Sequence, residues 1–598
     1  MNAVTIVIGS MCILAIAYRL YGTFMMVKVL KVTDDHPTPA HTLEDGKDYV
    51  PTNKWVTFGH HFAAIAAAGP LVGPILAAQF GYLPGLLWLL IGAVIGGAVH
   101  DLVVLFASMR KKGKSLSEVA KEELGPVAGF CTGLAMLFII TITMAGLSMV
   151  VLHALERNPW GTFAVGITIP IAMGVGLYYK KTGNLKLATS AGFILLMLGV
   201  FLGPNIQGTA LGDFLTLDTK TLALALPIYA FFAAALPVWM LLAPRDYLSS
   251  FMKIGVFIAL IAGIFVVNPS IQFPAFTEFV NGGGPVLAGP VWPFISITIA
   301  CGAISGFHAF VGSGTTPKML DRWSDMKPVA FGAMLVECLV GIMALIAATA
   351  LHPGDYFAIN STPEVFRTLG MSVENLPQLS KEIGLDLEGR TGGAVTLAVG
   401  MAYIFTGIPF FSHLASYFFQ FVIMFEAVFI LTAIDAGTRV ARYLIQDFLG
   451  EAYKPLKRTD WVPGSVFASA LACFMWGYLL YSGDIGSIWA LFGVSNQLMA
   501  SVGLIIGATV VLKIADKRRY MLTCFIPLAY LYVTVNYAGY WMVANVYLNP
   551  EASGYSVLNA VLSIIMLILG FVIIVFAIKK WVEIWRDPAL RMETPITG

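Results

Sequence analysis

The chain has 598 residues, 58% hydrophobic and only 12% charged, with a mean hydropathy of +0.81. Ordinary soluble domains carry about 25% charged residues, so this composition excludes them and implies an integral membrane protein of many helices. A formal net charge of +2 is far too small to argue for nucleic acid as a partner.

Hydropathy marks spans near residues 3–27, 55–81, 84–109, 126–153, 162–179, 187–203, 222–243 and 249–267. More follow near 291–313, 328–351, 413–438, 463–481, 486–513, 520–546 and 556–583, about fifteen transmembrane helices in all. The first, Val4 to Ala17, lacks the basic start and A-x-A site of a signal peptide and reads as a membrane helix. The six cysteines (Cys12, Cys131, Cys301, Cys338, Cys473, Cys524) lie in apolar spans without CxxC spacing and read as small buried hydrophobes. Cations gather in alternate connections: Arg110 to Lys121, Lys180 to Lys186, Arg245 with Lys253, Lys318 to Lys327, Arg439 to Arg458, Lys513 to Arg519, and the tail from Lys579. Connections 204–219, 268–290, 482–485 and 547–555 hold none. The positive-inside rule then places the N-terminus outside and the C-terminus in the cytoplasm. It also demands an odd number of crossings between 393 and 439. The apolar stretch 394–411 is therefore expected to be re-entrant or to lie on the surface, with 413–438 as the true span.

Two of these stretches make poor continuous helices. In 55–81, Gly69-Pro70 and Gly73-Pro74 interrupt the run, because each proline removes a donor and clashes with the preceding turn. Such a break survives in hydrocarbon only inside protein or beside a wet cavity. Ala66, Ala67 and Ala68 beside it allow close helix approach. In 291–317, which runs the opposite way, Gly302 to Gly306 is expected to meet substrate. There Gly312 to Pro317, with Thr316 as N-cap, is expected to start a helix at the cytoplasmic mouth. Paired discontinuous helices of opposite direction point to an inverted repeat with substrate bound between the breaks. A half-helix starting near Val72 would aim its free amides at a substrate carboxylate; the competing reading is that the breaks only permit close packing.

These residues also carry a resemblance. Lys54 to Phe62, Gly69-Pro70-Leu71-Val72-Gly73-Pro74, Gly97-Ala98-Val99-His100-Asp101, Pro244 to Leu248, and Ser305-Gly306-Phe307-His308 with Ser313 to Lys318 resemble the carbon starvation protein CstA family, over about residues 3–545. The resemblance implies uptake of peptides or pyruvate across a bacterial cell membrane, and a LeuT-like five-plus-five inverted repeat. Seven spans lie between residues 55 and 267, so one helix pair is expected to be inserted. The chain then divides into 1–54 (first helix and cytoplasmic loop), 55–270 (first repeat), 291–513 (inverted repeat) and 514–598 (two final helices and a tail).

Ionisable residues inside spans are costly and usually functional. Here they are His60, His61, His100, Asp101, His308, Glu337, Glu426 and Asp435. By helix rise, His60, His61, His100, Asp101 and His308 sit roughly 10–15 Å from the cytoplasmic ends of their spans. They are the expected proton-coupling group, since histidine titrates near neutral pH; the competing readings are structural pairing or a metal site. Metal is disfavoured because adjacent histidines point to different helix faces. Asp435 stands four residues before Arg439, the spacing of an i, i+4 pair. Gly69, Pro70, Gly73, Ser305, Gly306 and Asn496 are the expected substrate contacts. The expectation is a proton-coupled importer of peptides, with a pyruvate/proton symporter as the alternative and an intramembrane metalloenzyme as a rival of another class. Sodium, held by backbone carbonyls and the hydroxyls of Ser305, Ser313 or Thr315, is the alternative coupling ion. No cofactor, catalytic residue or nucleic-acid partner is expected; the lipid bilayer is. No P-loop supports an ATP-driven pump.

Overall fold

Long apolar runs with few breakers have one solution in a bilayer, because helices satisfy their own backbone groups. A computed structural model describes residues 2–46, 48–67, 69–182, 185–235, 242–457, 461–483, 485–552 and 554–591. Ala68 and Arg458 lie outside the described residues, as do the side chains of Lys186 and of residues 246–248. In chain order the main helices are α1 (Ala3–Val29), α2 (Lys54–Ile65), α3 (Gly69–Ala77), α4 (Tyr82–Arg110), α5 (Pro126–Leu155), α6 (Pro159–Thr182), α7 (Leu185–Leu202), α8 (Thr219–Ala235) and α9 (Leu242–Val267). Then come α10 (Val291–Thr298), α11 (His308–Gly314), α12 (Trp323–Thr349), α13 (Ala394–Thr406), α14 (Ala415–Ala452), α15 (Val462–Ser482), α16 (Ile485–Ile514), α17 (Arg518–Tyr547) and α18 (Val557–Arg586). Among the described residues there is no strand, only isolated bridges such as Thr52 to Leu320. Among the described residues ten helices are long and apolar enough to cross a membrane, and α2 with α3 forms a further pair bent by 45°. This is a multi-pass membrane protein.

Position in the bundle follows from which faces are covered. The most hydrophobic window of α16 is entirely buried, so α16 is the central post, whereas that of α18 is only 33% buried and turns its apolar side chains outward. Small residues on α16 admit its neighbours: a Cβ on Gly493 would meet the Ile297 carbonyl at 2.0 Å, and one on Gly507 would meet Val103 at 2.3 Å. Cys12 is exposed, against the expectation that all six cysteines are buried, because it lies on an outward face of α1.

Two expectations change. Residues 394–406 form a helix buried between α12 and α14, so a surface-lying segment is excluded; thirteen residues are too short to cross alone. Residues 316–318 form a single 3-10 turn and start no long helix. The chain before α2 closes this end of the molecule instead, through Val50 N to Lys318 O (3.1 Å) and Thr38 Oγ1 to Leu320 O (2.6 Å).

Candidate functional site

The first break falls between Ile65, the end of α2, and Gly69, the start of α3, ahead of both prolines, which stand within α3. Pro70 occupies the first helical turn, where its missing N–H costs nothing. The second span unwinds over 299–307, between α10 and α11. The two broken spans run side by side and antiparallel. A Cβ on Gly73 would stand 2.5 Å from the Thr298 carbonyl oxygen, and one on Gly69 2.5 Å from Cys301 Cβ and Sγ. Further along, His60 Nε2 lies 3.1 Å from Thr315 Oγ1 and His61 Nδ1 lies 2.8 Å from Thr316 Oγ1. Rising numbers on one segment thus meet falling numbers on the other. Gly69, Pro70 and Gly73 lie at this seam, and the glycines are needed there for close approach.

Side chains from neighbouring helices satisfy the last carbonyls of α10 and the unwound backbone after it. Trp88 Nε1 donates to Ile299 O (3.1 Å), Trp489 Nε1 to Thr298 O (3.3 Å) and Gln497 Nε2 to Ser296 O (2.7 Å). Asn496 Oδ1 accepts from Phe307 N (2.8 Å) and from Ser305 Oγ (3.3 Å). Gly302 has φ +84°, which disfavours any side chain. At Gly306 a Cβ would meet the Asn496 carbonyl at 2.1 Å. Ser305, Gly306 and Asn496 therefore form one clasp around the break.

Beside this clasp runs a chain of ionisable groups. His100 Nδ1 and His308 Nδ1 each donate to one oxygen of Asp101, both at 2.8 Å. His308 Nε2 stands 3.1 Å from Glu337 Oε2 on α12. All four residues are at most 2% exposed. Because both Nδ1 atoms carry protons toward Asp101, the Nε2–Oε2 gap is where a further proton resides, on the imidazole or on the carboxyl. His60 and His61 belong elsewhere: His60 is exposed, and both are held by the threonine pair rather than by Asp101.

The sequence places Glu337 in a span but outside the expected proton-coupling group, and only the fold brings it to His308. Lys253, read as a marker of the inner surface, is 4% exposed. Its Nζ donates to Ala63 O (2.9 Å) at the carbonyl end of α2 and lies 3.7 Å over the Phe429 ring. Glu426 is buried with neither oxygen hydrogen-bonded among the described residues. Asp435 reaches across helices to Tyr229 Oη (2.7 Å) and Arg245 (3.5 Å), contacts the i, i+4 spacing does not show. A cavity of about 410 Å³ lies beyond the seam, lined by Leu76, Val286, Asn360, Thr362 and Trp489. Trp489 thus lines this cavity and contacts the second break.

The sequence matches the family described as Carbon starvation protein CstA over residues 2–538. It is 90% identical to the peptide transporter CstA of Bacillus subtilis (strain 168), covering 100% of both chains. It is 46% identical to the peptide transporter CstA of Campylobacter jejuni, covering 94% of this chain and 82% of that one. It is 39% identical to the pyruvate/proton symporter BtsT of Escherichia coli K12, covering 99% and 93%. A solved mutant of the Eremococcus coleocola manganese transporter is similar at TM-score 0.48 and 11% identity, covering 91% and 99%. The sequence match and these full-length relatives show that the chain belongs to the carbon starvation protein CstA family.

Proposed function

We propose that the protein is a secondary active transporter that imports short peptides with protons, by alternating access around its two broken spans. The observation that carries the reading is the buried chain His100–Asp101–His308–Glu337, anchored through His308 at the end of the unwound segment. A proton moving across the His308–Glu337 gap changes the charge beside a backbone segment held by only a few side-chain bonds. Such a change can be read out as movement of that segment. Gly69, Pro70, Gly73, Ser305, Gly306 and Asn496 are the groups between which substrate would bind once the seam parts. The 410 Å³ cavity is the entrance and Trp489 its floor. The relatives are named as transporters, and the metalloenzyme rival finds no support in them.

Protons are favoured over sodium by what the hydroxyls already do. Ser305 Oγ accepts from Asn496 Nδ2 (3.2 Å), Ser313 Oγ accepts from Leu116 N (3.1 Å), and Thr315 Oγ1 meets His60 Nε2 (3.1 Å), so the oxygens that would hold sodium already have partners. Fifteen crossings account for the ten long helices, the bent α2–α3 pair, the shorter α7, α8 and α9, and the broken α10–α11 pair. The antiparallel seam supports an inverted repeat, and the alternation of cations supports an external N-terminus with a cytoplasmic C-terminus.

Pyruvate is the second reading, favoured by the 39% identity to a pyruvate/proton symporter. Proteoliposomes with an imposed pH gradient, supplied with labelled tripeptide or labelled pyruvate, separate the two. The expected result is gradient-dependent accumulation of the tripeptide, while accumulation of pyruvate alone would replace the peptide reading.

A further inference from the structure

We infer that Cys301, His308 and Glu337 form a binding site for a thiophilic divalent cation of the zinc class. One ligand atom from each residue lies within 4.8 Å of the others, and all three residues are buried. His308 Nε2 and Glu337 Oε2 face each other at 3.1 Å, and neither they nor Glu337 Oε1 has a well-aligned hydrogen bond to any other group among the described residues. All three residues are at most 5% exposed, and a cation that displaces the proton shared by His308 and Glu337 would meet an imidazole nitrogen and a carboxylate together.

The supporting shell is already in place. Asp101 accepts from His308 Nδ1 at 2.8 Å, which fixes the ring and leaves Nε2 as the ligand atom. A carboxylate behind a metal-binding histidine is the usual means of orienting it. Cys301 Sγ has Asn496 Nδ2 as a donor at 3.5 Å and Ser305 Oγ at 3.3 Å, whose proton can turn from Asn496 Oδ1 to a thiolate. A thiolate, an imidazole and a carboxylate together suit zinc or cobalt far better than magnesium or calcium. Metal–ligand distances of about 2.0–2.3 Å set tetrahedral ligand atoms roughly 3.3–3.7 Å apart; His308 Nε2 and Glu337 Oε2, at 3.1 Å, already stand near that spacing, so the closure of about 1 Å falls to Cys301 Sγ. The unwound segment between Cys301 and His308 has that freedom. Binding expels two protons, one from the Cys301 thiol and one from the His308–Glu337 gap, so the charge of the buried site is unchanged. The cation ties the second break to α12 and takes the place of the mobile proton. On the transporter reading above it is therefore an inhibitor; the binding site itself does not depend on that reading.

The test titrates Co²⁺ into the purified full-length protein and follows its visible and near-ultraviolet absorption. One equivalent should give tetrahedral d–d bands with a thiolate charge-transfer band, and Zn²⁺ should displace both. Cys301→Ser should abolish the charge-transfer band and weaken Co²⁺ at least tenfold, whereas Cys338→Ser should change neither. Asp101→Asn, which removes no ligand, should weaken binding about 10–100-fold. In proteoliposomes Zn²⁺ should inhibit uptake, with Cys301→Ser at least tenfold less sensitive. Absence of the cobalt spectrum from folded wild-type protein, or its persistence in Cys301→Ser, overturns the site. Cobalt binding in a protein that transports neither peptide nor pyruvate upholds the site and overturns the transport reading alone.

Discussion

At the scale of single residues, Asp101 is the pivot: its two oxygens serve two histidines from different helices. Its candidacy was legible in sequence, because an ionisable residue in an apolar run is costly, with structural pairing as the competing reading. Its partners were not legible. His308 is 207 positions away and Glu337 lies on a third helix, so only chain folding joins them. The seam glycines make the sharpest prediction here. Gly73→Ala places a methyl 2.5 Å from a backbone oxygen and should destabilise the protein by about 1–3 kcal/mol. Gly9→Ala, with nothing within 4 Å, should be neutral or stabilising by up to about 1 kcal/mol. Thermal unfolding of the two purified variants checks the pair, and equal midpoints would contradict the tight seam.

Elements fail and succeed in the sequence for identifiable reasons. The second break was placed correctly at Gly302 to Gly306, where a glycine with positive φ is required. The first was placed at its prolines, yet the chain breaks just before them, since a proline in the first turn has no helical donor to lose. The residues that hold the breaks open were invisible as such, because Asn496 and Trp489 act across the bundle. Asn496→Ala should therefore free the amide of Phe307 and the hydroxyl of Ser305, at a cost of about 1–3 kcal/mol. Hydrogen exchange of amides 299–307 should quicken while that of α18 does not; unchanged exchange would show that the clasp is incidental. Gln79 is a similar device outside the seam. It accepts from Val286 N (2.7 Å) and Leu287 N (3.0 Å) and donates to Leu287 O (2.9 Å), fixing the loop over the 410 Å³ cavity. Gln79→Leu should make residues 277–288 a preferred site of limited proteolysis, and resistance equal to wild type would count against that role.

For the whole molecule, hydropathy revealed the membrane class and nearly every helix, because the bilayer tolerates so few backbone solutions. It left 394–411 as re-entrant or surface-lying, and only the packing of 394–406 between α12 and α14 removes the second option, since burial among helices and burial in lipid demand the same apolar composition. It also could not rank the helices, although α16 is wholly buried and α18 faces outward. The central claim is that a buried proton chain, tied to the second break, drives uptake. One proton falling through one pH unit supplies about 1.4 kcal/mol, enough for roughly tenfold accumulation of substrate. The most direct measurement loads proteoliposomes with a pH-sensitive dye and compares wild type with Asp101→Asn in two modes, substrate exchange without a gradient and accumulation with one. The wild type should acidify the lumen when substrate is added and accumulate it; Asp101→Asn should still exchange substrate but neither acidify nor accumulate. Full accumulation and acidification by Asp101→Asn would show that the proton travels elsewhere.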